Sequence, residues 1–319
     1  MRRYLIGIAF ALAIGATTLG VFVAGPQGPP APTGAPAAQA RGGGGGGARG
    51  QRGGAPVPPE VTTQRPAADE LLRINAALKR FVNTDTSPDS ALLKKYADLI
   101  NVSLRANTAI VPVQSQVRTT ERHNGFVETA KNGDFDILFA GDSITDWWQQ
   151  AAPNGGTDVQ KKYFGDVKIA NFAVAGDTTQ GVLWGLQNGE GQGHKPKAVM
   201  LMIGTNNTGA NTGFEIAEGV GAVVYELRKD FPDAKILLLA IFARGAGPTD
   251  ANRMKNDEAN KIIARLDDGQ HVFFKNINDK FLDDQGRLIG FRADNLHPNA
   301  QGYETWAMAV GDTLKGWVK

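Results

Sequence analysis

Five apolar runs of strand length recur from residue 137 onward, and each of the last four is followed by a segment with helical periodicity. The runs fall at 137–141, 167–171, 198–203, 236–241 and 272–276, and the helical segments at 178–186, 214–229, 251–266 and 301–317. Continuous apolar runs read as strands buried on both faces, and alternation with helices at this spacing dictates a parallel sheet covered on both sides. The expected fold is therefore α/β, a three-layer sandwich of flavodoxin-like type. In such sheets ligands bind beyond the carboxyl ends of the strands. The first run, Ile137-Leu138-Phe139-Ala140, stops at Gly141-Asp142-Ser143, which puts Ser143 where a nucleophile would sit.

A serine hydroxyl is a weak nucleophile at neutral pH and needs a base within hydrogen-bond reach, itself oriented by a third group. Of the four histidines, His297 is the candidate base, because Asp294 lies three positions before it and a turn can aim that carboxylate at the imidazole. His123 falls in a polar helix before the first strand, His194 in a Gly-rich loop and His271 at a strand entry, and all three read as surface or loop residues. Gly141-Asp142-Ser143-Ile144-Thr145 lacks the second glycine of a Gly-x-Ser-x-Gly elbow. Gly189, Gly191 and Gly193 follow no strand and lead to no Gly-Lys-Ser/Thr, which argues against a phosphate loop. No metal-ligand spacing is present, and zero cysteines exclude a disulfide framework, a Cys-based zinc site and a thiol nucleophile. Neither a metal nor a cofactor is expected.

Two further blocks close apolar runs, Asn171-Phe172-Ala173-Val174-Ala175-Gly176-Asp177-Thr178-Thr179 and Ile203-Gly204-Thr205-Asn206-Asn207. With the Ser143 turn and Asp294-Asn295-Leu296-His297-Pro298 they stand in the order and spacing of the four blocks of the SGNH (GDSL-type) hydrolases, which residues 118–319 resemble. The run from Asn171 to Glu190 is most similar to the catalytic subunits of platelet-activating-factor acetylhydrolase and their bacterial relatives. Ala173 and Ala175 stand where that pattern has glycines, a departure that bears on pocket shape. The resemblance implies a serine esterase with Ser143, His297 and Asp294 as the catalytic relay. It also implies an oxyanion hole made of the Ser143 and Gly176 backbone N–H groups and the Asn206 side-chain amide. Asp142 and Asn207 are expected to hold the loops that carry these donors. A non-catalytic carbohydrate-binding protein on the same fold is disfavoured because every catalytic position is filled.

The amino-terminal part has a different composition. Arg2 and Arg3 precede an uncharged apolar stretch, Tyr4 to Ala24, the pattern of an export signal. Its length reaches the roughly 20 residues that span a bilayer, so a retained membrane anchor is the alternative to a cleaved signal. Residues 25–65 are rich in Gly, Pro and Ala and are expected to form a flexible tether, since they offer little apolar surface to offset ordering entropy. Residues 1–65 hold six arginines and one glutamate, so within a total charge of +2 the rest of the chain is net acidic. That balance, and the lack of aromatic residues among the Arg-Gly-Gly repeats, argues against nucleic acid as a partner.

Between 66 and 117, Leu71, Ile74, Leu78 and Phe81 and then Leu92, Tyr96 and Leu99 predict two helices, with Ser87-Pro88 as a cap and first-turn proline. They cover the catalytic domain or mediate assembly, and the sequence leaves both open. The expected protein is exported, secreted, periplasmic or membrane-anchored. It hydrolyses short-chain, acetyl-type esters, on carbohydrates or small molecules, with a lipid esterase as the alternative. Trp147 and Trp148 are read either as a flat surface for a sugar ring or as core packing.

Overall fold

The computed structural model describes residues 54–319. The expected export segment, and the tether as far as residue 53, lie outside the described residues. Two helices, α1 (Ala68–Thr84) and α2 (Ser90–Lys95), come first, and α3 (Thr120–Asn132) leads into the sheet. Strand β1 (Ile137–Gly141) is followed by α4 (Ser143–Asp146) and α5 (Thr157–Phe164), and β2 (Ile169–Asn171) by α6 (Thr179–Gly185). Then come β3 (Ala198–Met202), α7 (Gly213–Asp230), β4 (Lys235–Leu239), α8 (Ala251–Ile263), β5 (Val272–Lys275) and α9 (Ala300–Val318). The strands lie in the order β2-β1-β3-β4-β5 and every pairing is parallel.

Alternate residues of each strand serve opposite layers, as the two-residue period of a strand requires. Leu138 and Ala140 of β1, with Val199 and Leu201 of β3, pack with Val182 of α6, Val220 and Val223 of α7 and Ile262 of α8. Ile137, Phe139, Met200 and Met202 point the other way, onto Phe164 of α5 and Trp306, Val310 and Leu314 of α9. Burying each such aliphatic side chain stabilises the fold by roughly 1.5–3 kcal/mol, which is why the strands tolerate no polar alternation. Helix α5, short and preceded by Gly156, has no counterpart among the segments expected from periodicity.

The tether expected as far as Arg65 ends earlier. The Ala55 N–H donates to the Ile110 carbonyl (2.6 Å), Val61 is buried, and Arg65 grips both oxygens of Glu218 on α7 at 2.8 and 2.7 Å. The cause is compositional: the glycine run stops at Gly54, and Ala55, Val57 and Val61 supply apolar surface that the helices can bury. Helix α2 starts at Ser90 with Asp89 as its cap position, two residues later than the Ser87-Pro88 pair indicated. The lead-in helices keep Leu72, Phe81, Leu92 and Leu99 exposed, so these side chains do not cover the core of the sheet. Among the described residues no helix is long and apolar enough to cross a membrane.

Candidate active site

Strand β1 ends at Gly141 with its backbone close against β3. A Cβ on Gly141 would lie 2.4 Å from the Met202 carbonyl oxygen and 2.5 Å from Thr145 Oγ1, so the turn into α4 admits only glycine there. Asp142 caps α4, its Oδ1 accepting the Ile144 N–H at 3.0 Å. The side chain is fully buried and its Oδ2 has no partner among the described residues. Burial, reinforced by the Asp177 charge and opposed by the Ile144 N–H and Arg244, pushes the Asp142 carboxyl up to about 7. Ser143 follows as the first residue of the helix, and the hydroxyl of Tyr303 on α9 donates to the Ile144 carbonyl at 2.8 Å. Burial raises the Tyr303 phenol well above its ordinary value, so it remains a donor.

His297 arrives from the loop before α9. Its Nε2 lies 2.9 Å from Ser143 Oγ and its Nδ1 2.8 Å from Asp294 Oδ2. With the Nδ1 proton on the carboxylate side, Nε2 is left to accept the serine hydroxyl proton, a tautomer assigned from the network. The turn is built from within. Asp294 Oδ1 accepts the backbone N–H groups of Leu296 and His297, both at 3.0 Å, and Asn295 takes a left-handed φ of 51°. Partial burial pushes the Asp294 carboxyl up, but those N–H groups and the imidazole outweigh it and hold the group below its ordinary value. Outside the turn, the Arg292 N–H donates to the His297 carbonyl (2.8 Å) and the Gly245 N–H to the Asn295 carbonyl (2.8 Å).

The other expected site residues lie on the adjoining loops. Gly176, after β2, has φ +83°, a conformation that side-chain-bearing residues rarely adopt. Neither its N–H nor that of Ser143 has an intramolecular acceptor among the described residues. The Asn206 amide donates to the Asp177 carbonyl at 2.8 Å, which ties the loop after β3 to the Gly176 loop and leaves a second amide hydrogen. Asn207 accepts the Thr179 N–H at 3.1 Å, a loop-holding contact of the kind expected of it. Ser143, Gly176 and Asn206 thus follow β1, β2 and β3 beyond the carboxyl ends of the strands, where the strand order reverses between β1 and β3.

Beneath the Gly176 loop lies a buried ionic cluster that no pattern in the sequence marks. Arg118, 1% exposed, donates to Asp177 at 2.9 Å, to Glu190 at 2.6 Å and to the Phe172 carbonyl at 3.2 Å. His123, expected at the surface, is buried instead: its Nδ1 donates to Glu190 (2.8 Å) and its ring packs on Trp184 (4.6 Å). Burial is possible because that carboxylate satisfies the ring nitrogen. A second link runs through Asp146, which accepts from Arg122 and from the Ala175 N–H (3.0 Å). The only signals in the sequence were acidic residues inside otherwise apolar or glycine-rich blocks.

The two tryptophans separate. Trp148 is buried in the core against Tyr303 and Trp306. Trp147 is half-buried, and its ring stacks on the His297 imidazole with centroids 4.0 Å apart and planes 26° apart. Its other close neighbour is the Arg292 guanidinium, 4.8 Å from the ring centroid. Among the described residues no group of three or more His, Asp or Glu side chains is placed to hold a metal ion.

Comparison with known proteins bears on the family and the fold. Residues 139–305 match the model of the GDSL-like Lipase/Acylhydrolase family. The platelet-activating factor acetylhydrolase IB subunit alpha2 of Rattus norvegicus is 33% identical over 205 residues, which cover 62% of this chain and 86% of the relative. The Homo sapiens subunit alpha2 is 36% identical over 163 residues, covering 50% and 68%. A solved structure from Streptococcus pneumonia, provisionally named as a platelet activating factor, shares the fold with a TM-score of 0.51 at 22% identity, covering 61% of this chain and 91% of its own.

Proposed function

The chain belongs to the GDSL-like lipase/acylhydrolase family, and from that premise we propose that it is an exported serine esterase that cleaves short-chain, acetyl-type esters through an acyl-enzyme. The observation that carries the reading is the continuous hydrogen-bonded line from Ser143 Oγ through His297 to Asp294, at 2.9 and 2.8 Å. In the first half-reaction His297 Nε2 takes the Ser143 proton as Oγ attacks the ester carbonyl. Asp294 keeps the imidazole in the required tautomer and stabilises the imidazolium that forms. The oxyanion receives the free N–H groups of Ser143 and Gly176 and the Asn206 amide, donors of which one typically lowers the barrier by about 2.7–4 kcal/mol. His297 then passes its proton to the departing alcohol, and a water repeats the sequence on the acyl-enzyme. No step needs a metal or cofactor.

Two features favour a small acyl group. The relatives are named as acetylhydrolases. Ser143 itself opens α4, the segments after Gly176 and Asn206 reach α6 and α7 within a few residues, and none holds a long apolar insertion that would desolvate a fatty chain. Export rests on Arg2, Arg3 and the apolar run to Ala24. An exported esterase meets acetylated carbohydrates, which we assign as the substrate class. The test compares kcat/KM for p-nitrophenyl acetate and octanoate. Acetate is expected to be preferred, and a clear preference for octanoate would replace the short-acyl assignment with a lipase reading.

A further inference from the structure

We propose that Arg292, supported on Trp147, is a subsite for an oxyanion, a carboxylate or phosphate, carried on the alcohol part of the ester; the inference rests on the esterase reading above. The guanidinium lies 4.8 Å from the Trp147 centroid, and the same indole stacks at 4.0 Å on the imidazole of His297. The backbone of Arg292 is fixed as well, its N–H donating to the His297 carbonyl at 2.8 Å. The cation is therefore held beside the base.

Its side chain is nevertheless without a partner among the described residues. Arg65, Arg105, Arg118, Arg122 and Arg287 each hold a carboxylate within 3 Å, whereas Arg292 makes no ion pair and no side-chain hydrogen bond. The neighbouring carboxylate, Asp294, is already engaged: Oδ1 by the N–H groups of Leu296 and His297 and Oδ2 by the imidazole. A second guanidinium, Arg244, approaches from the loop after β4, its Nη1 on Thr205 at 3.1 Å to the carbonyl and 3.2 Å to the hydroxyl. It too has no carboxylate partner among the described residues, and its charge reaches the buried Asp142. The rim thus carries two guanidinium groups to which no carboxylate is hydrogen-bonded among the described residues, Arg292 on its Trp147 face and Arg244 on Thr205. A planar guanidinium backed by an aromatic face presents a fork of N–H donors matched to a carboxylate or phosphate.

The side of the substrate follows from the chemistry. His297 must reach the leaving oxygen to protonate it, so groups packed on the imidazole border the alcohol part and not the acyl part. The test uses three acetyl esters of phenols: 4-acetoxybenzoate, 4-acetoxyphenyl phosphate and the neutral methyl 4-acetoxybenzoate. A fourth, 4-nitrophenyl hemisuccinate, carries its charge on the acyl side. In Arg292→Gln, kcat/KM for at least one of the two alcohol-side anions is expected to fall on the order of tenfold further than for the neutral ester, through KM, and Arg292→Lys to restore part of it. The arm that responds identifies the oxyanion. Raising salt should lower the wild-type rate on that substrate selectively. Equal losses on charged and neutral esters, or a loss confined to the hemisuccinate, would overturn the subsite. Absence of turnover on every ester would instead overturn the esterase reading.

Discussion

At the scale of single residues, the site places two carboxylates in opposite environments. Asp294 is held below its ordinary range by the N–H groups and imidazole it accepts from, which suits a permanent anion that orients His297. Asp142, sealed between β1 and α4, titrates near 7. Between an ordinary value of 3.8 and that value, the folded chain holds a proton that the unfolded chain has released. The stabilising contribution of protonated Asp142 is therefore complete below pH 3.8 and is lost as pH rises to about 7. Asp142→Asn keeps the acceptor for the Ile144 N–H and stays neutral at every pH. Its Tm, relative to wild type, should accordingly rise between about pH 4 and pH 7 and level off above about pH 8. A difference that does not change with pH would show that Asp142 is not protonated in the fold.

Among the elements, the loop between β2 and α6 is the part that needs support, because it carries Gly176 in a left-handed conformation. Arg118 supplies the support from beneath, holding Asp177 of that loop and Glu190 beyond α6. Arg118→Met would leave two buried carboxylates without their cation and should cost about 3–5 kcal/mol in denaturant unfolding. Glu190→Gln in the same chain should return part of that loss, and a cost below about 1 kcal/mol would mean the cluster is no strut. The contrast with the sheet explains what a sequence reveals. Strands and helices with one dominant period were legible, β3 and α7 to within a residue or two, because burial on fixed faces imprints the pattern. The Ser143, Gly176, Asn206 and His297 blocks stood out because together they resemble, in order and spacing, the blocks of a known hydrolase family, each ending or adjoining such an element. Arg118, His123 and Glu190 were not, since a charge buried by a partner 59 or 72 positions away looks like a solvated one. The 54–65 segment was misjudged for the same reason, its anchor Glu218 lying 153 positions from Arg65.

For the whole molecule, the site exists only when the fold is complete. Ser143 and His297 are 154 positions apart, and what joins them is the carboxyl end of β1 on one side and the start of α9 on the other, with Tyr303 pinned to the Ile144 carbonyl. Arg292 and Trp147 meet across the same closure, so the rim that would select a substrate is made by the step that assembles the relay. The central claim is that this closure turns Ser143 into a nucleophile that forms an acyl-enzyme. Diethyl 4-nitrophenyl phosphate, an ester mimic that traps activated serines, tests it directly when the inactivated full chain is digested and its peptides are weighed. One diethylphosphoryl group per chain is expected, on the peptide containing Ser143, with labelling lost in Ser143→Ala and sharply slowed in His297→Ala. A label on another residue, or inactivation that proceeds unchanged in Ser143→Ala, would contradict it.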